Sequence, residues 1–233
     1  MAFRAWARDA LGIAASLAFI AGFADASSYV GADGIFCAHV TGNFVVLAAD
    51  LARHAHASEW LKLATFPIFV SAVLSATGFF RSASEPGPAS TRQLLVIEST
   101  LFALAAALGI AWPSDGPSFV KPAVVALLVL AMGIQNAMHR LNPALGPMTT
   151  VMTGNVTGWL VELLRPGPPA NAPKHRILGA AIVAFACGCI SGALSIARFG
   201  FGALVVPLAF ALFARTRVAE HVAPLARTES AKP

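Results

Sequence analysis

The sequence predicts an all-α polytopic transmembrane helical bundle, and three observations carry that prediction. Of 233 residues, 57% are apolar and only 12% charged, about half the charged fraction of an average soluble domain. Several apolar runs approach or exceed the roughly 18 residues that mark a membrane span. The tripeptide Thr-Gly-Asn stands inside two of those runs, at 41–43 and at 153–155, in contexts that match well beyond the tripeptide.

The apolar segments follow in order: 10–29, 35–52, 61–80, 92–112, 121–138, 147–164, 174–197 and 199–214. Turn-rich stretches divide them: GADG at 31–34, SASEPGPAS at 82–90, WPSDGPS at 112–118, NPALGP at 142–147 and RPGPPANAPK at 165–174. Clusters of Gly and Pro punctuate helices in this way. Arg4 and Arg8 before the first segment, with Ala24-Asp25-Ala26 near its end, imitate a signal peptide. That segment is long for a leader, and its pattern recurs in mid-chain, so it is read as a retained span. From Arg215 to Pro233 the composition turns polar and reads as a loose tail.

Two related halves follow, 1–112 and 121–214, each with four of the segments. Gly22, Asp25 and Ala26 align with Gly133, Asn136 and Ala137. A one-residue gap then brings Thr41-Gly42-Asn43 onto Thr153-Gly154-Asn155, and Asp50 and Arg53 onto Glu162 and Arg165. Further on, Phe69 and Ser75 fall on Phe185 and Ser191. Repeats of this kind are common among transporter folds.

GFADASSY followed by FCAHVTGN, and GIQNAMHR followed by MTTVMTGN, resemble the YoaK-like family of uncharacterised bacterial membrane proteins. The resemblance spans nearly the whole chain. It implies a bacterial membrane location and six transmembrane helices, and it supplies no substrate.

Six full spans are therefore expected, plus two TGN segments that either span or re-enter. Each TGN segment has about 18 residues, enough to cross the roughly 30 Å apolar slab as a helix. Each could equally enter, turn at its glycine and return. Positive-inside counting does not separate the two. Spanning segments place Arg4, Arg8, Arg53, Lys62, Lys121, Arg165, Lys174, Arg176, Arg215, Arg217, Arg227 and Lys232 inside, twelve of the sixteen basic residues. Re-entrant segments exchange Arg53, Lys62 and Lys121 for Arg81, Arg92 and Arg140, and the count is unchanged. Both arrangements put the N- and C-termini in the cytoplasm, with the chain in the bacterial inner membrane. Four spans per half make parallel repeats; three make inverted ones. The i,i+3 acid–base pairs Asp50/Arg53 and Glu162/Arg165 favour TGN segments that end as regular helix near an interface.

Polar residues in apolar runs are the functional candidates. An amide in lipid is costly unless it is hydrogen-bonded, so Asn43 and Asn155 must face protein or water. With Thr41 and Thr153 they either line a route or bond across helix interfaces. Asp25 is a candidate proton or cation site, or a surface acid that caps the turn following it; its counterpart Asn136 is neutral. The expected substrate-contacting set is Asp25, Thr41, Asn43, Asn136, Thr153 and Asn155. Glu98 is either intramembrane or near the headgroups. His39 reads as a packed residue rather than a ligand, and Arg140 as a lipid-phosphate contact. Gly188 and Gly192, and Ala72 and Ala76 with Ser71 and Ser75 in the first half, have the small-x-x-x-small spacing of close helix packing. Pro67 and Pro207 interrupt spans.

The net charge of +5 is scattered between apolar runs, which argues against nucleic-acid binding and for orientation charge. Cys37, Cys187 and Cys189 lack metal-ligand spacing. No Walker loop, H-E-x-x-H or G-x-S-x-G appears, so no enzyme, cofactor or metal is expected. The function expected is a small-solute or ion transporter with a polar route along the two TGN segments. The alternative is a non-transporting lipid-binding, sensory or assembly protein whose TGN motifs are packing elements. The lipid bilayer is the sure partner, and a homo-oligomer is left open.

Overall fold

The computed structural model describes residues 2–53, 59–82, 88–112, 117–164 and 172–229. Arg165 and most of its Pro-rich neighbourhood, with parts of the stretches at 82–90 and 112–118, lie outside the described residues. Among the described residues all regular structure is helical: α1 (Ala2–Gly31), α2 (Gly42–Ala52), α3 (Glu59–Ser82), α4 (Pro88–Ala111), α5 (Val120–Leu141), α6 (Met152–Leu163), α7 (Ala172–Phe199) and α8 (Val205–Glu229). Short 3-10 turns at Pro143–Leu145 and Gly200–Leu204 complete it.

Six of these helices have 22 residues or more, about 33 Å or longer at 1.5 Å per residue, enough to cross a bilayer. The chain is a multi-pass membrane protein by the length and apolarity of its helices. The apolar stretch Lys174–Val218 is 45 residues long, but it folds back on itself where Gly200 takes a φ of +59°. The helix α8 continues to Glu229, through residues expected to be a loose tail. Pro67 lies within α3, whereas Pro207 falls in the first turn of α8, where a missing N–H costs nothing.

The direction of each long helix follows from which ends meet. At one face, Asp33 after α1 pairs with Lys121 of α5 at 3.0 Å. A cavity of about 800 Å³ there is lined by Gly31, Trp60, Trp112, Lys121 and Phe201. At the other face, Arg217 of α8 meets Asp9 of α1 at 3.6 Å and Asn142 donates to Thr91 at 3.1 Å. Ala10, Pro143 and Lys174 line a smaller cavity there. Thus α1, α4 and α7 run from the Asp9 face to the Lys121 face, and α3, α5 and α8 run back.

The core runs along α1 and α5, where Ile13, Leu17, Phe23, Val124, Leu128 and Met132 are buried. The helix α1 packs in parallel along α7, α3 along α5, and α4 against both α5 and α8. Small residues make the α1–α7 approach. A Cβ on Gly22 would overlap the Phe185 carbonyl oxygen, one on Gly188 that of Phe19, and one on Gly192 would sit 2.5 Å from that of Phe23. The α3–α5 contact is similar: a Cβ on Gly133 would meet Ala72 at 2.6 Å and the Phe69 oxygen at 3.2 Å. Ala72 and Ala76 face this contact and are buried, whereas Ser71 is exposed and bonds its own helix.

The TGN segments are only half helical. The helix α2 has 11 residues and α6 has 12, about 16 and 18 Å, roughly half the apolar slab. Each is preceded by non-helical chain. Asp33 and Gly34 take φ of 57° and 78° after α1, and Gly146 takes 100° after α5, the left-handed turn that glycine makes without strain. The chain between α1 and α3 starts and finishes at the Lys121 face. The chain between α5 and α7 starts and finishes at the Asp9 face. Segments 35–52 and 147–164 are therefore not spanning helices.

Candidate re-entrant-loop site

The first re-entrant loop is built around Asp25. This side chain lies six residues short of the end of α1, about 9 Å from that end, and is 3% exposed. Its Oδ1 accepts the backbone N–H groups of Cys37 (2.9 Å), Ala38 (2.6 Å) and His39 (3.3 Å). Its Oδ2 pairs with Nδ1 of His39. The loop turns back just before α2, so three successive amides lack helical partners, and a carboxylate supplies the acceptors. Asp25 is thus the buried anchor of the entry loop, not a surface cap.

The loop carries two perturbed groups. The hydrogen bond that the His39 ring donates to Asp25 raises its pKa above the ordinary 6.5, against the opposing effect of burial. Burial, with the Asp25 charge added, pushes the Cys37 thiol well above its usual value, so it is an inert buried thiol. The His39 ring also meets Phe185 edge-on, with centroids 5.7 Å apart.

Asn43 ties the same loop from the start of α2. Its Oδ1 accepts the Phe36 N–H at 2.8 Å. Its Nδ2 donates to the Phe36 carbonyl at 2.8 Å and to Thr65 Oγ1 of α3 at 2.9 Å. At the far end of α2, Asp50 pairs with Lys62 of α3 at 3.0 Å and not with Arg53. The Lys62 side chain is fully buried; this pair fixes the far end of α2 to α3, as the Asn43–Thr65 bond fixes the near end.

The second loop has a different anchor. Asn155 donates to the Met148 carbonyl at 2.8 Å, reaching back seven residues as Asn43 does to Phe36. Asn136, which aligns with Asp25 in the sequence, is only partly buried. Its neighbour Gln135 does the anchoring: Nε2 donates to Thr149 at 2.7 Å and to the Leu17 carbonyl of α1 at 2.9 Å.

The six expected residues are therefore not gathered in one place. Asp25 and Asn43 serve the loop at the Lys121 face, and Asn155 serves the opposite one; Asn136 lies beside Gln135 without a bond to that loop. Thr41 and Thr153 are exposed. Sequence reasoning missed Gln135, Thr65 and Lys62. Gln135 is detectable as a second amide beside Asn136 in an apolar run, whereas the position of Lys62 at the edge of an apolar run suggests only orientation charge. Among the described residues no cluster of three or more His, Cys, Asp or Glu is placed to hold a metal.

Replacing Asn43 with alanine leaves both Phe36 backbone groups and Thr65 without it. The expected cost is about 1–3 kcal/mol, read as a lower melting temperature in detergent. Asn155→Ala, which loses fewer bonds, is expected to cost less.

A family model described as "Protein of unknown function (DUF1275)" matches residues 13–216, and the chain belongs to that family. No curated protein and no solved structure matches.

Proposed function

We propose, with membership of this family as the premise, that the chain is a small-solute or ion transporter of the bacterial cytoplasmic membrane. Its two halves, 1–112 and 121–214, are inverted relative to one another. One observation carries the reading: two half-length helices, each opening on Thr-Gly-Asn, enter from opposite faces and return to the face they left. Broken helices in inverted halves are the architecture of many transporters.

Several correspondences support the inversion. Gly34 and Gly146 both take a positive φ seven residues before Thr41 and Thr153. Asn43 and Asn155 reach back across the same interval. Gly22 packs on the backbone of Phe185 while its counterpart Gly133 packs on that of Phe69, so each contact pairs one half with the other. With the loops re-entrant, the Asp9 face receives Arg81, Arg92 and Arg140 with the flanking and terminal basic residues, which makes it the cytoplasmic side, termini included.

In this reading Asp25, Thr41, Asn43, Asn136, Thr153 and Asn155 border the route. Asp25, Asn43 and Asn155 hold the loops, and the exposed Thr41 and Thr153 hydroxyls are the groups a solute reaches without breaking a bond. Uptake of a broad panel of labelled solutes into proteoliposomes tests it. Solute-dependent flux above empty vesicles, reduced in Thr41→Val and Thr153→Val, is the expected result. No flux across the panel rejects transport.

A second reading, a non-transporting membrane protein with TGN motifs as packing elements, is favoured by one observation. The bonds of Asn43 and Asn155 run to neighbouring backbone and helix, and the cavities at the two faces are lined by other residues. The same flux measurement decides between the two.

A further inference from the structure

Glu98 stands in the middle of α4, ten residues into the apolar stretch Ala89–Ala111, about 14 Å from its start. It is 0% exposed, and neither carboxyl oxygen has a hydrogen-bond partner. The bond between Thr91 and Asn142 fixes the register of α4 against the antiparallel α5. Two helical turns inward from that bond, on each helix, stand Glu98 and Gln135. The Gln135 amide nitrogen is occupied by Leu17 and Thr149, while its Oε1 is buried without a partner. An acid without a donor and an amide oxygen without one thus share a level between two packed helices.

The charges on the surrounding elements lie elsewhere. On α5, Lys121 is at the opposite face and Arg140 is exposed. His139, one turn beyond Gln135, is buried with its ring beside the Gly146 backbone. On α8, Arg215 and Arg217 lie toward the Asp9 face, Arg217 beside Asp9. On α3, Glu59 and Lys62 lie near the Lys121 face and Arg81 is exposed near the other. The turn at 200–204 carries no charge. Among the described residues Glu98 has no ion pair. An ionised carboxylate here would be stripped of water with nothing to offset the loss. The neutral acid has one O–H donor, and Gln135 Oε1 is an acceptor at its level.

We propose that Glu98 holds a proton in this packed arrangement and is the proton-exchange site of the bundle. When α4 and α5 part toward the Asp9 face, the Oε–H bond breaks. The proton passes to entering water, with His139 one turn along the exit, and the carboxylate left behind is solvated. Re-protonation accompanies closure. The use of this proton for coupling rests on the transporter reading; its presence on Glu98 does not. The coupling role thereby moves from Asp25, whose oxygens are occupied by the entry loop.

Infrared difference spectroscopy of the full chain in lipid vesicles tests the assignment. Wild type minus Glu98→Gln should show, at neutral pH, the deuterium-sensitive C=O stretch of a buried carboxylic acid. Glu98→Asp should shift that band rather than remove it, which guards against a misfolded glutamine variant. An ionised-carboxylate signature in its place overturns the proposal whether or not the protein transports. In parallel, vesicles loaded with a pH dye receive a potassium-diffusion potential. Proton uptake that falls about tenfold or more in Glu98→Gln supports the coupling role. Uptake equal in wild type and Glu98→Gln overturns that role. The acid band together with no uptake or solute flux in wild type rejects the transporter reading and leaves Glu98 as a proton-binding site.

Discussion

Asp25→Ala is expected to release the whole entry loop. The substitution strands the buried amides of Cys37 and Ala38 and the part-buried amide of His39, and removes the partner of the His39 ring. Breaking a buried charge-bearing cluster from one side costs about 3–5 kcal/mol, because the groups left behind are desolvated and unpaired. For a chain of this length that is a fall of about 10 °C in melting temperature. Asp25→Asn separates shape from charge. Its amide oxygen can still accept from the loop, but its NH2 cannot accept from a protonated His39, so a smaller loss is expected. Thermal unfolding in detergent, followed by loss of the monodisperse peak, reads both. A wild-type melting temperature for Asp25→Ala would show that the loop is held by something else.

The same cluster gives stability a pH dependence of definite sign. The folded protein raises the His39 pKa above 6.5, so the native state binds the proton more tightly than the unfolded chain. The contribution of the pair is complete below about pH 6.5 and is lost as pH rises through the raised folded value. The gap in melting temperature between wild type and His39→Gln should therefore be widest in mild acid and shrink above neutrality. A gap that widened with rising pH would contradict the pairing.

Much of this was legible in the sequence, because the bilayer imposes strong patterns. Apolar length located the six long helices, and Gly188, Gly192, Ala72 and Ala76 were readable as packing residues by spacing. Their partners were not, since nothing in a sequence says that Gly22 will face Phe185, about 160 residues away. The re-entrant course of 35–52 and 147–164 was left open because the charge count is the same either way. It turns on backbone geometry at Asp33, Gly34 and Gly146, which composition does not encode. Asp25 was visible as an acid in an apolar run, yet its role depends on a chain reversal that brings residues 37–39 back beside it. Glu98 was visible too, and its depth became definite only when α4 found its register against α5. The i,i+3 rule misplaced Asp50: Arg53 is local, but Lys62 offers the buried partner.

Gly22→Ala is expected to be among the most damaging single-methyl changes in the molecule. The new Cβ would fall on the carbonyl oxygen of Phe185, with Cys189 N 3.1 Å away. A side chain could rotate aside, but the backbone of a packed helix has no such freedom, so α1 and α7 would have to separate. That separation spreads along the line where Gly188 and Gly192 meet Phe19 and Phe23. The penalty should reach or exceed the roughly 1–3 kcal/mol typical of overpacking. Helix propensity works the other way by about 1 kcal/mol, and Gly12 isolates that term, since a Cβ there meets nothing within 4 Å. Gly12→Ala should be neutral or stabilising. Gly133→Ala should fall between the two, because its Cβ meets the Ala72 methyl at 2.6 Å and the Phe69 backbone only at 3.2 Å. Melting temperatures of the three variants therefore rank the contacts: Gly22 lowest, Gly133 next, Gly12 at or above wild type. If Gly22→Ala melted with Gly12→Ala, α1 and α7 would not be in backbone contact, and the parallel seam between them would have to be redrawn.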